Sequence, residues 1–143
     1  MKKTIITISR EFGSGGHFIG EEVAKRMNIP YYDKDIIFQI AEKTGYSESF
    51  IQEQSEYAPS KNLFAYAFVG RDRTGSSLSD QVYAAQTQVI RDLAQKGSCV
   101  IIGRCADYIL KDDPDAYHIF ICGNEAEKIA RTQKLFDLSE KEA

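Results

Sequence analysis

A parallel α/β sheet with helices packed on both of its faces is the architecture this sequence predicts. Three observations carry that prediction. Residues 4–9 are rich in β-branched side chains and run straight into a glycine-dense turn, Gly13-Ser14-Gly15-Gly16. Beyond that turn, Ile19, Val23 and Met27 recur at four-residue spacing with charged residues between them, the period of an amphipathic helix. Two further runs, Cys99-Val100-Ile101-Ile102 and Tyr117-His118-Ile119-Phe120-Ile121-Cys122, are almost continuously apolar, as strands buried on both faces are. Strands that alternate with helical segments imply right-handed crossovers and a parallel sheet.

The elements follow in order. Asn28-Ile29-Pro30 stops the first helix, and Tyr31-Tyr32 starts a short second strand ending at Asp33. Residues 34–43 suit a helix with Ile36, Ile37 and Ile40 on one side and Gly45 as its stop. Ser47 suits the cap of a second short helix reaching about residue 54. Residues 56–79 lose any period; with Pro59, an aromatic patch and a polar loop holding Arg71 and Arg73, they are expected to form a mobile insert. Ser79 then suits the cap of a long helix that buries Val82, Ala85, Val89 and Leu93 and closes at Gly97. Strands are expected near 98–102 and 116–122, separated by a short helix over 105–110 and a turn at Asp112-Asp113-Pro114. Asn124 and Glu127 resemble a capping box for a helix running to about residue 136.

Bulk properties narrow the function. A chain of 143 residues suits one domain, 1–143, and its 43% apolar and 27% charged residues suit a folded core. A net charge of -3 disfavours a broad nucleic-acid-binding surface. Three cysteines without paired spacing and two histidines disfavour structural zinc and favour a reducing, cytoplasmic setting. The apolar run after Met1-Lys2-Lys3 is too short and too polar for a signal segment or membrane span. Ser139-Glu140-Lys141-Glu142 looks like a fresh helix start just before the chain ends, so a longer parent protein is expected.

Strand, glycine turn and helix together form a phosphate cradle: glycine lets successive main-chain N–H groups face one oxyanion, and the helix start adds partial positive charge. The P-loop pattern G-x-x-x-x-G-K-[ST], laid with Gly16 as its second glycine, puts Glu11 at the first glycine, His17 at the lysine and Phe18 at the hydroxyl. A dinucleotide fingerprint matches Gly13 and Gly15 but meets Phe18 at its third glycine, while Asp33 suits a ribose-binding acid. A tight turn holding no ligand is the third possibility.

Three segments together resemble the cytidylate kinase-like family of P-loop nucleoside monophosphate kinases. They are Ile8-Ser9-Arg10-Glu11-Phe12-Gly13-Ser14-Gly15-Gly16-His17-Phe18-Ile19-Gly20, Ile29-Pro30-Tyr31-Tyr32-Asp33-Lys34-Asp35-Ile36-Ile37, and Val100-Ile101-Ile102-Gly103-Arg104-Cys105-Ala106-Asp107-Tyr108 with the strand after Pro114. The resemblance implies a three-layer P-loop NTPase-type fold with strand order 2-3-1-4. It also implies transfer of the ATP γ-phosphate, with Mg²⁺, to a small-molecule nucleotide, CMP first among acceptors. By the same resemblance Gly13, Ser14, Gly15, Gly16 and His17 cradle the donor phosphates, and Arg104 reaches the acceptor phosphate. Asp33 and Asp35 orient the acceptor or hold Mg²⁺ through water, and Arg71 and Arg73, in the acceptor-side insert 56–79, fold over the monophosphate.

Departures from the family are equally legible. His17 is cationic only when protonated, Ile102 and Cys105 replace acids flanking Gly103-Arg104, and the arginine-rich lid and last strand would lie beyond Ala143. A nucleotide-binding module without transferase activity is therefore the alternative. Asp33 and Asp35 also suit a helix cap and first turn, Arg71 and Arg73 solvated surface charge, and Cys105 a small buried residue.

Overall fold

The computed structural model describes residues 2–51, 78–137 and 139 of the chain. They fall into two compact units, Met1–Tyr32 with Ala94–Ala143, and Asp33–Leu93. The expected insert lies outside the described residues over 56–77, so Arg71 and Arg73 do too.

The first unit holds the whole sheet. Its strands are β1 (Ile5–Arg10), β2 (Tyr31–Tyr32), β3 (Cys99–Ile102) and β4 (Ala116–Ile121), all parallel, in the order β2-β3-β1-β4. Both the α/β class and the 2-3-1-4 order are as the sequence led one to expect. β1 is central because Ile5, Ile6, Thr7 and Ile8 suit a pleat covered on both sides; all four are buried. It pairs in register with β3 (Ile8 beside Ile102) and with β4 (Ile8 beside Ile119).

Helix α1 (Gly16–Met27) packs on the face made by Ile6, Ile8, Val100 and Ile102. The side it buries is Gly16, Gly20 and Ala24, whereas Ile19 and Met27, two of the residues whose spacing betrays the helix, are 47% and 45% exposed. Small residues win that face because the helix backbone lies close to the strands. A Cβ at Gly20 would collide with Cδ1 of Ile102 and come within 3.2 Å of Cδ1 of Ile8. Asn28, in the left-handed region at φ 51°, ends the helix, its N–H bonding to the carbonyls of Ala24 and Lys25.

In the second unit, α2 (Lys34–Thr44) buries Ile36, Ile37 and Ile40 and stops at Gly45 with φ 74°, as expected. Ser47 does cap the next helical segment, beginning at 48, through a 3.3 Å bond from the Phe50 amide. Helix α3 (Leu78–Lys96) buries Val82, Val89 and Leu93, but also Gln86 and Ile90, while Ala85 is half-buried. It begins before Ser79, which therefore sits inside it and not at its cap. Lys43 meets Asp92 at 2.9 Å and the Tyr46 hydroxyl donates to Gln81 Oε1 at 3.1 Å, tying the ends of this unit's described segments together.

Back in the first unit, α4 (Ala106–Ile109) and α5 (Glu125–Phe136) follow β3 and β4. Asn124 caps α5, its Oδ1 accepting from the Glu127 amide at 2.8 Å. Two expectations fail here. β4 was expected to be buried on both faces, yet Tyr117, Ile119 and Phe120 are 54%, 45% and 64% exposed. An apolar run marks a strand but not its neighbours, and β4 is the sheet edge with β1 alone beside it among the described residues. Cys105, expected to be buried, is exposed. Cys99 is the buried thiol, and burial pushes its pKa up to about 11.

Replacing glycine by alanine at an open helix position gains about 1 kcal/mol. At Gly20 the sign should reverse, because overpacking typically costs about 1–3 kcal/mol. Adding Ile102→Val, which removes the colliding methyl, should recover part of the loss in denaturant melts. Strictly additive effects of the two changes would mean that these side chains do not touch.

Candidate functional site

Open parallel sheets present ligands at the carboxyl ends of their strands, and two unusual turns occur there. β1 leads into the glycine turn. Gly13 and Gly15 have φ of 74° and 84°, values that side-chain-bearing residues rarely adopt, and Gly15 is the N-cap of α1. The Ser14 amide donates to the Glu11 carbonyl at 3.2 Å, and Ser14, buried, accepts a long 3.4 Å bond from the Gly16 amide. Among the described residues nothing accepts from the N–H of Gly13 or Gly15. Main-chain donors left in this state at a helix start suit phosphate oxygens.

The second turn follows β3. Gly103, Arg104 and Cys105 are all left-handed, with φ of 63°, 59° and 54°. Two consecutive non-glycine residues in that region store strain of order 1–3 kcal/mol each, and such strain gathers at functional sites. The Gly103 amide donates to the Ile8 carbonyl at 2.9 Å, so the turn is tied to the neighbouring strand. Arg104 is half-buried, with its Nη1 atom fully enclosed. Because β1 and β3 are adjacent, these two turns stand side by side at one sheet edge.

Helix α5 braces the glycine turn. A Cβ at Gly13 would come within 2.9 Å of both the Lys128 carbonyl and Thr132 Oγ1, so the turn has no room for a side chain on that side. Lys128 Nζ lies 2.9 Å from Glu11 Oε2, which also accepts from the Gly123 amide at 3.2 Å. The Lys128 hydrogen bond, and after it that of Gly123, holds the Glu11 carboxyl below its ordinary range. Arg131 donates to the Gly13 carbonyl, and its guanidinium carbon would stand 3.2 Å from a Cβ at Gly15.

Of the residues expected from sequence, Gly13, Ser14, Gly15, Gly16, His17 and Arg104 all belong to the first unit. His17 is the second residue of α1, and its Nδ1 lies 2.8 Å from the Tyr31 hydroxyl. Asp33 and Asp35 belong to the second unit, at the N-cap position and in the first turn of α2; the Asp33 side chain makes no capping hydrogen bond there. Arg71 and Arg73 lie outside the described residues. Sequence reasoning missed Arg131 and the Glu11–Lys128 pair. The one signal for the pair was Glu11 itself, a carboxylate standing where a P-loop has glycine.

The Glu11 carboxyl gives a pH signature. Its folded pKa is lowered, so its contribution to stability is present above the unfolded value, about 4.5, and is lost as pH falls through the folded one. The stability gap between the wild type and Glu11→Gln should therefore widen as pH rises to about 4.5 and then level off. A gap independent of pH in urea melts would mean that Glu11 titrates alike in both states.

Solved structures share this fold, among them the following two. A protein from Eubacterium ventriosum, described as uncharacterised, is 29% identical with a TM-score of 0.63 over 98% of this chain and 66% of its own. TT1252 from Thermus thermophilus is 16% identical with a TM-score of 0.56, over 99% of this chain and 77% of its own, and attests the fold alone. The chain thus spans just under two thirds of the first of these. No curated protein matches the sequence at a significant level. The profile of the cytidylate kinase-like family matches residues 5–143, essentially the whole sequence: the chain belongs to the cytidylate kinase-like family.

Proposed function

We propose that the chain serves in moving the γ-phosphoryl group of ATP to a small nucleotide, with CMP as the acceptor of first choice. Membership of the family gives the general class, nucleotide-kinase-like. One observation carries the finer reading. Adjacent parallel strands end in two left-handed turns, the first with main-chain donors that no described residue satisfies and the second bearing an arginine.

In this reading the turn Gly13-Ser14-Gly15-Gly16, through the amides of Gly13 and Gly15 left unsatisfied among the described residues, and the start of α1, with His17 in its first turn, hold the donor phosphates. Arg131 adds positive charge from α5. Arg104 takes the acceptor phosphate with its forked guanidinium. Asp33 and Asp35 are assigned to orienting the acceptor or holding Mg²⁺ through water, and Arg71 and Arg73, which lie outside the described residues, are assigned to the acceptor monophosphate by the family resemblance alone. No cluster of three metal-ligating side chains occurs among the described residues, and the site calls for none, since Mg²⁺ keeps several waters and binds through the triphosphate. Mg²⁺, when bound, would neutralise charge on the donor phosphates. The protein's share of such catalysis is positioning and electrostatics, so neither a nucleophilic side chain nor a strong base is required.

We place the protein in the cytoplasm, where ATP is available. All three cysteines are free, and among the described residues no helix is long and apolar enough to cross a membrane.

The buried Ile102, where the family's true cytidylate kinases carry an acid, favours a second reading, nucleotide binding without transfer. Calorimetry with ATP and CMP beside a coupled kinase assay separates the two. Turnover supports the transferase. Tight binding of both nucleotides with no turnover would reject it.

Arg104→Ala should weaken CMP binding by on the order of 10-fold to 100-fold, the loss expected for a charge-assisted contact, and leave ATP affinity nearly intact. Equal losses for both ligands would refute the acceptor-side assignment.

A further inference from the structure

Arg10, the last residue of β1, lies across two bare stretches of backbone. A Cβ at Gly16 would come within 2.7 Å of Arg10 Cβ and 3.1 Å of its Cγ. A Cβ at Gly103 would run into the Arg10 guanidinium itself, with Cζ at 3.5 Å. The stem thus crosses the start of α1, and the guanidinium reaches the turn after β3. Arg10 is exposed, and among the described residues no carboxylate, carbonyl or hydroxyl engages its guanidinium. Of the cations that α5 brings to the glycine turn, Lys128 is paired with Glu11 and Arg131 is bonded to the Gly13 carbonyl.

This placement changes how the glycine turn compares with a P-loop. With Gly15, the N-cap of α1, as the second glycine of the pattern, Gly16 stands at the lysine and Arg10 at the first glycine. The lysine position then has no side chain, and the volume where one would begin is filled by the Arg10 stem. Gly16 has no positive φ, so its backbone does not demand glycine; the close approach of Arg10 does.

We propose that Arg10 supplies the permanent positive charge that a P-loop lysine supplies elsewhere, delivered from the strand instead of the helix. It is a phosphate-binding residue for the terminal phosphates of the donor. Its guanidinium ends over Gly103, beside Arg104, the residue that the phosphoryl-transfer reading gives to the acceptor phosphate. Phosphoryl transfer most needs charge neutralisation where donor and acceptor meet. The inference rests on the phosphoryl-transfer reading above and names a residue for it.

Calorimetric titration with ATP and Mg²⁺ tests it. Arg10→Gln should bind on the order of 10-fold to 100-fold more weakly, with an unchanged melting temperature in the absence of nucleotide, and Arg10→Lys should restore much of the affinity. The swap Arg10→Gly with Gly16→Lys returns the charge to the helix and should bind better than Arg10→Gly alone. Should the swapped protein fail to fold, the Gln and Lys variants decide. Wild-type affinity in Arg10→Gln would overturn the inference, as would a folded swap no better than Arg10→Gly. Absence of ATP binding by the wild type is a separate outcome, which overturns the phosphate-site reading and this inference with it.

Discussion

The chemistry of this sheet edge depends on how close α1 comes to β1 and β3. The missing side chain at Gly20 permits that approach, and Ile102 and Ile8 fill the space it leaves. Interiors are packed nearly as densely as crystals, so a helix either meshes with a sheet or is pushed away from it. Here it meshes, and the start of α1 is thereby held against the end of β1. A helix standing farther out would leave Arg10 beside open space instead of a bare backbone.

The glycine turn is supported from its other side by α5. The Glu11–Lys128 pair and the Arg131–Gly13 bond join two segments more than a hundred residues apart, and Gly13 is too crowded by α5 to bear a side chain. A half-exposed ion pair contributes little to stability; its consequence here is positional. It also occupies the Lys128 charge.

Much of the fold was legible because its signals are local. The β-branched runs, the glycine stops at Gly45 and Gly97, and the caps at Ser47 and Asn124 act within a few residues of themselves. The family segments gave the strand order and the glycine turn. Less legible was which side of each element would be covered. The spacing of Ile19, Val23 and Met27 marked a helix, but two of those residues face outward because the sheet accepts only small residues at that distance. The apolar run of β4 marked a strand, yet its exposure follows from its place at the edge.

The sequence by itself determined the alternation of strands and helices, the glycine turn after β1 and the arginine after β3, because each is written in neighbouring residues. Tertiary structure alone decided that Arg10 lies over Gly16 and Gly103, that Arg131 reaches Gly13, and that Glu11 serves as a brace and not as a misplaced glycine. Those relations join residues distant in the chain, and only the packing of α1 and α5 about the end of β1 brings their atoms within reach.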